Sequence, residues 1–366
     1  MRKALTALAL TPAIVFSAED IPVSVKLRIQ PRLDFGDLYK IGNTYTSRTD
    51  FYLRRARLEV NKIWKEIPLG KSLRVNITFE MDKGEKDYSK SRISQHDFQV
   101  GVLYAYVNWK LSEEFNFLLG KKKKPFSRIS LTSSSKQLLI ERPFSTETAK
   151  KWLGNYYATQ IMLYGKVKRG ILRYAIALSD GSTVKKYNKT GFKVISSPNM
   201  GNLYAIRIEI SPPGFIEKKK DDTGVKEKNT LSLGISYARL KGFNIDREGD
   251  GIYEIKGEKG TVKGADLFIR FKTHIGIITA QAEYVNMEYE KIKKREDGWY
   301  IQTGYKFLNF EPAVRYENHN KGEKKITTLG FNHYLKAHKA KWSYNFVLIK
   351  ETKSLTLHQL QAQFYF

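Results

Sequence analysis

From Leu119 the chain reads LGKKKKPFSRISLTSSSKQLLIER, a stretch dense in cations and hydroxyls. Four consecutive lysines, Lys121 to Lys124, are followed by Arg128, Lys136 and Arg142, with the hydroxyls of Ser134 and Ser135 among them. Ammonium, guanidinium and hydroxyl donors together suit oxyanions, and the planar fork of arginine can pair two phosphate oxygens at once. The alternative is a solvated rim that gathers anions or binds lipopolysaccharide phosphates. Strand parity alone would point alternate lysines in opposite directions.

The charge of the whole chain agrees with that chemistry. Across 366 residues, 64 Lys and Arg stand against 37 Asp and Glu, a formal charge of +27, so a polyanion or a flux of anions is the expected partner. There is no cysteine, which excludes disulfides, thiolate metal sites and a cysteine nucleophile. The six histidines, His96, His274, His319, His333, His338 and His358, belong to no nucleophile motif, and HExxH and P-loop patterns are absent. A hydrolase built on a barrel would need Ser or Thr with His and an orienting partner. The sequence therefore predicts neither an enzyme nor a cofactor or metal site. Nucleic acid fits the net charge, but the cations are spread along alternating strands and the chain opens with an export signal, so no nucleic-acid partner is expected.

That opening, MRKALTALALTPAIVFSAED, has a cationic start at Arg2 and Lys3, an apolar run from Ala4 to Phe16 and small residues at Ser17 and Ala18. It reads as a signal peptide over residues 1–18, leaving one domain over residues 19–366. No later segment reaches the ~18 to 20 apolar residues of a membrane helix, so a membrane could be crossed only by a closed barrel.

From Val23 onward the dominant pattern is alternation at period two. In VSVKLRIQPRLDF, Val23, Val25, Leu27 and Ile29 oppose Lys26, Arg28, Gln30 and Arg32; a helical period would scatter both sets. Sixteen such segments begin near Val23, Phe51, Ser72, Val100, Phe115, Ala158, Ile171, Met200, Asn229, Lys263, Ile275, Gly298, Phe310, Lys324, Lys339 and Ser354. Breaks after even-numbered segments are short and those after odd ones mostly long, as in an outer-membrane barrel with both ends in the periplasm. Residues 211–229 disobey, being long where a short turn belongs. A soluble β-sandwich would also present strands at this spacing, but would not require alternating connection lengths. The prediction is all-β: a sixteen-stranded antiparallel transmembrane barrel with an inward-folded constriction loop, located in the bacterial outer membrane. The last segment, HQLQAQFYF, ends on a phenylalanine and resembles the terminal strand that the outer-membrane assembly machinery recognises.

With the apolar faces toward lipid, parity turns Lys26, Arg28, Arg32, Arg55, Arg57, Arg74, Arg173, Arg207, Arg270, Lys272, Lys306 and Arg315 into the lumen. Asp34, Glu59, Glu80, Asp82, Glu209, Asp266 and Glu311 share that face. The excess of cations favours anions, because fixed positive charge replaces part of an anion's hydration shell and repels cations. Neither the preferred anion nor the pore radius is readable from parity.

Two places resemble the phosphate-selective porin O and P family. The segment FYLRRARLEV is similar to that family's aromatic, Arg-Arg-Ala-Arg strand, and the Leu119 stretch to its run of Gly, Pro-Phe, a Ser-rich segment with Lys, and Glu-Arg. The resemblance implies a trimeric barrel passing inorganic phosphate, polyphosphate or other small anions passively. A ladder of Arg28, Arg32, Arg74, Arg173, Arg207, Arg270 and Arg315 would lead to a constriction of Arg54, Arg55, Arg57, Lys122, Lys124, Arg128, Ser134, Ser135, Lys136 and Arg142. Arg54 and Arg55 fall on the paired-arginine site, and Ser134, Ser135 and Lys136 in the inward-folded loop. Simple alternation, however, leaves Arg54 on the face of Ala56, Leu58 and Val60. Either a bulge turns both arginines inward, or Arg54 faces a subunit boundary or snorkels.

Overall fold

The computed structural model describes residues 23–41, 44–83, 98–153, 157–180, 183–187, 192–196, 201–246 and 254–366. Residues 1–18, expected to be a signal peptide, and His96 lie outside them.

The period-two segments become strands of one eighteen-stranded sheet. In chain order these are β1 (Ser24–Ile41), β2 (Thr44–Lys65), β3 (Ser72–Lys83), β4 (Phe98–Lys110), β5 (Asn116–Lys123), β6 (Tyr157–Val167), β7 (Leu172–Ser179), β8 (Thr183–Tyr187), β9 (Phe192–Ser196) and β10 (Leu203–Ile210). There follow β11 (Thr230–Asp246), β12 (Ile255–Lys272), β13 (Ile277–Tyr289), β14 (Lys294–Lys306), β15 (Phe310–His319), β16 (Lys324–Lys336), β17 (Ala340–Lys350) and β18 (Ser354–Tyr365).

All pairings are antiparallel, and sixteen of the strands close into a barrel. The seam joins β1 to β18 from Arg28↔Tyr365 to Gly36↔Leu357, and the amide of Phe366 donates to the carbonyl of Leu27 at 2.8 Å. Closure leaves none of the sixteen barrel strands with an unpaired edge, which a soluble sandwich does not achieve.

Strands β8 and β9 are the exception. They form a hairpin inside the connection from β7 to β10, and β9 pairs with Phe243–Asp246 of β11 above the barrel wall. Sequence reading placed no strand there. The second and tenth barrel strands also begin earlier than their alternation suggested, at Thr44 and Ile255 instead of near Phe51 and Lys263. The added ends, TYTSRTD and IKGEKGTV, hold too few apolar residues to carry the period-two signal.

The wall is inside out by the standards of a soluble protein. In β11, Leu233 and Ile235 are 55% and 54% exposed on the outside, while inward Ser232 is fully buried. In β18, Gln359, Gln361 and Gln363 are buried inward, while Leu360 and Phe364 face out. A hydrocarbon surroundings and a polar interior satisfy both faces.

Two connections fill the interior. Residues 124–153, following β5, enter as the inward-folded loop. They contain helix α1 (Arg128–Leu131), a 3-10 turn at Ser134–Lys136 and helix α2 (Phe144–Trp152). Residues 211–229, between β10 and β11, enter from the opposite rim as a strap. Asp221, Asp222 and Thr223 at its tip are almost wholly buried.

The loop is seated on its own cluster of apolar lumenal residues. Phe126, Ala149, Trp152 and Leu153 pack on Leu203, Leu240, Val262, Val285, Met287 and Tyr289, and the Trp152 and Tyr289 rings stack with centroids 3.9 Å apart. Across the barrel, the wall is cut back to glycine where Leu138 and Leu139 press against it. A Cβ built on Gly304 would lie 2.6 Å from Leu138 Cδ1, and one on Gly330 would lie 2.1 Å from Leu139 Cδ2. A strand glycine facing inward thus marks close approach by another segment.

Candidate anion constriction

The paired arginines owe their orientation to Pro31. Proline has no N–H for the ladder and is accommodated in a strand at a bulge. In the β1–β2 register Gln30 pairs with Arg55, but Pro31 pairs with Leu53, so Arg54 is the extra residue. The extra residue resets the alternation. Leu53 keeps its place on the apolar face, while Arg54 and Arg55 both reach lumenal carboxylates.

Those carboxylates organise a cluster on β1, β2 and β3. Glu141 of the inward loop is bound by Arg32 and lies 3.5 Å from Arg54 Nε. Arg32 also holds Asp34 at 2.6 Å, and the Tyr52 hydroxyl donates to Asp34 at 2.9 Å. Glu80 sits 2.6 Å from Arg57 and 3.5 Å from Arg55. Arg74 donates to Asn61 at 2.6 Å and stands 3.5 Å from Glu59. Burial by itself would raise the Glu141 carboxyl, but Arg32, Arg54 and Arg55 outweigh it and hold it well below the usual carboxylate range.

The opening run of cations divides into two groups. One holds the loop in shape. Lys123 Nζ donates to the carbonyls of Ser130 and Thr132 at 2.7 and 3.1 Å, around the end of α1, and Lys124 Nζ donates to Leu153 O at 2.6 Å. Arg142 donates to the carbonyls of Ile129 and Thr132 at 3.3 and 3.2 Å. Arg128 is fully buried, stacked 3.7 Å from the Phe268 ring centroid and paired with Glu217 and Asp222 of the strap. The second group reaches open volume. Lys122 lies inside β5, not in the loop, with its ammonium 4.5 Å from the Tyr106 ring centroid. Lys136 is 3.9 Å from Asp221 and partly exposed. Arg28 Nη1 donates to the hydroxyls of Ser133 and Ser134 at 3.2 and 3.4 Å, and Ser135 is 2.9 Å from Ser133.

Below Ser133 to Lys136 is a cavity of about 760 Å³. Among the described residues its wall carries nine cationic side chains, including Lys26, Arg28, Arg74, Lys136 and Arg173, against one carboxylate, Glu59. Lys218, Lys219 and Lys220 of the strap are three of the nine.

The remaining ladder residues are matched by protein acceptors. Arg207 pairs with Asp266 at 2.6 and 2.9 Å and with Glu209 at 3.0 Å. Arg173 is 3.3 Å from Glu209, Arg270 donates to the carbonyls of Asp221 and Thr223, and Arg315 pairs with Glu317 at 2.7 Å. Sequence reading marked residues 211–229 as too long for a short turn but did not place them inside the barrel. The signal was SPPGFIEKKKDDTG, a long polar connection where the topology required a short turn.

A family model described as phosphate-selective porin O and P matches residues 25–366. The chain belongs to that family. This porin is also similar to a protein of Aquifex aeolicus (strain VF5), itself described as uncharacterized, with 51% identity covering 94% of this chain and 87% of that one. Among solved structures, the anion-selective porin from Comamonas acidovorans superposes with a TM-score of 0.62 at 12% identity, over 94% of this chain and 99% of that one. The outer membrane channel DcaP of Acinetobacter baumannii gives a TM-score of 0.60 at 15% identity, over 94% of this chain and 97% of that one. At those identities the likeness carries the fold. The porin is an outer-membrane channel.

Proposed function

We propose that this porin is a passive, anion-selective channel whose preferred cargo is phosphate or polyphosphate. The carrying observation is the cavity of about 760 Å³, lined among the described residues by nine cations against one carboxylate and by Ser133 and Ser135. An oxyanion leaving water there meets Arg28, Lys136 and hydroxyl donors together, so part of its hydration shell is replaced while cations are repelled. Arg54, Arg55 and Arg57 act above this point, their charge moderated by Glu80 and Glu141. Arg74 and Arg173 extend the cationic surface below it, and Lys123, Lys124, Arg128 and Arg142 fix the loop that carries the serines.

A general anion preference without phosphate specificity is the second reading. It is favoured by the carboxylates that partner Arg32, Arg57, Arg207 and Arg315, which leave those guanidinium groups less able to grip a passing phosphate.

The working assembly is a homotrimer in outer-membrane lipid and lipopolysaccharide, reached after removal of residues 1–18 and delivery to the barrel-assembly machinery through β18. A trimer form recorded for OmpT of Vibrio cholerae, a structural neighbour, supports that assembly.

Single-channel recording in planar bilayers, first in a chloride gradient and then with added phosphate, tests the reading. Chloride preference with phosphate block, weakened at least fivefold in Lys136→Gln, supports a phosphate path. Chloride preference without block leaves the general channel, and folded protein without channels overturns both.

A further inference from the structure

Barrel interiors are polar, yet two inward-facing patches of this one are apolar. The first is covered by Phe126 and α2 of the inward loop. The second is buried without a loop residue in its cluster, among the described residues. It consists of Tyr106, Leu118, Met162 and Ala177 on β4 to β7, with Tyr104, Tyr164 and Ala175 packed against it. It borders a cavity of about 320 Å³ whose facing wall includes Pro125 and Leu131 of the loop. The cationic chamber shares Leu131, Arg173 and Lys220 with this cavity, so a solute passing through the pore reaches it from the side.

An inorganic oxyanion gains nothing from the apolar part of this wall, to which Tyr104, Met162, Tyr164 and Ala175 contribute. An apolar recess of roughly 300 Å³ with a few placed charges is the form of a small-molecule site. Among the described residues its charges are six Lys and Arg side chains against the one carboxylate of Glu209. Arg173 and Lys220 are shared with Glu209. Lys122 has no carboxylate partner among the described residues, and its ammonium lies 4.5 and 5.7 Å from the ring centroids of Tyr106 and Tyr164.

We propose that this recess binds an aromatic carboxylate. The ring lies against Tyr104, Met162 and Tyr164, and the carboxylate meets Lys122. The site gives the porin an organic cargo beside its inorganic one. It rests on the anion-channel reading but not on phosphate preference.

The test uses single-channel chloride currents of the full protein, titrated with benzoate and, separately, with acetate, which carries the same head without the ring. Benzoate is expected to interrupt the current at concentrations at least tenfold below those of acetate. In Lys122→Gln and in Met162→Gln, each read against its own chloride conductance, the benzoate effect falls at least fivefold. Equal action of the two carboxylates, or an unchanged benzoate effect in Met162→Gln channels of normal heat-modifiable mobility, overturns the recess as a site. Absence of chloride over potassium preference in the untreated channel would instead overturn the anion-channel reading beneath it.

Discussion

The Nε of Arg54 lies 3.5 Å from Oε1 of Glu141, which joins the bulged residue of β2 to the inward loop and places a carboxylate among three arginines. The same carboxylate is bound by Arg32, so the loop is tied to two strands of the wall through one side chain.

Glu141 is ionised at every working pH, because its arginine neighbours hold it well below the carboxylate range. Glu141→Gln therefore removes a negative charge from the lumen without unfolding the site, since Arg32 retains Asp34. The chloride-to-potassium permeability ratio, read from reversal potentials in a salt gradient, should rise about twofold or more. An unchanged ratio would mean that Glu141 lies outside the field felt by permeating ions.

The bulge predicts a labelling pattern. The chain has no native cysteine, so single substitutions report without background. Arg54→Cys and Arg55→Cys should both react with a charged, membrane-impermeant thiol reagent, at least tenfold faster than Leu53→Cys and Ala56→Cys. Strict alternation would instead make 53 react with 55 or 54 with 56.

Gly330 makes room for Leu139. Gly330→Val sets a side chain where a Cβ alone would be 2.1 Å from Leu139 Cδ2, an overpacking that costs about 1 to 3 kcal/mol. The barrel, whose ladder is untouched, should still form and remain heat-modifiable. The loop should be displaced, seen as altered single-channel conductance and faster proteolysis within residues 128–142. Conductance and proteolysis like the parent's would show that the loop does not need this contact.

The junction of loop and strap should respond to pH. Burial, helped by Glu217 and Asp221 against the opposing pull of Arg128, pushes the Asp222 carboxyl from 3.8 up to about 7. Between those values the folded junction keeps a proton that the unfolded segment has lost, so its stability falls as pH rises and levels off above about 7. His338, lowered mainly by burial, works in the opposite sense. The difference between wild type and Asp222→Asn isolates the aspartate. Hydrogen-exchange protection of residues 215–226, corrected for intrinsic rates, should fall severalfold from pH 5 to pH 8 in wild type and less in the variant. Equal pH dependence in both would assign the effect elsewhere.

What was legible in the sequence follows from periodicity. Each strand that crosses lipid must separate apolar from polar at period two, so all sixteen barrel strands announced themselves. The polar ends of β2 and β12 stand clear of lipid and obey no such rule, and neither do β8 and β9. Parity found the inward arginines but not their partners, because the carboxylates that engage them come from other strands or, for Glu141, Glu217 and Asp222, from connections without periodicity. Arg54 was legible only as a conflict between alternation and its neighbours, which Pro31 resolves. The roles of Lys123 and Lys124 were not legible. A run of lysines says nothing about which ammonium will find a carbonyl, and only the fold of the loop brings Ser130, Thr132 and Leu153 to them.

The Arg128 guanidinium is gripped by Glu217 and Asp222, yet it belongs to a segment that enters by one mouth while its partners enter by the other. The two segments form a mechanical link through the pore. A pull on the outer loop must be carried across that buried charge pair to the strap at the periplasmic mouth, and neither segment can be drawn out without stranding charge in the barrel. Two segments from opposite rims thus brace one another inside the barrel.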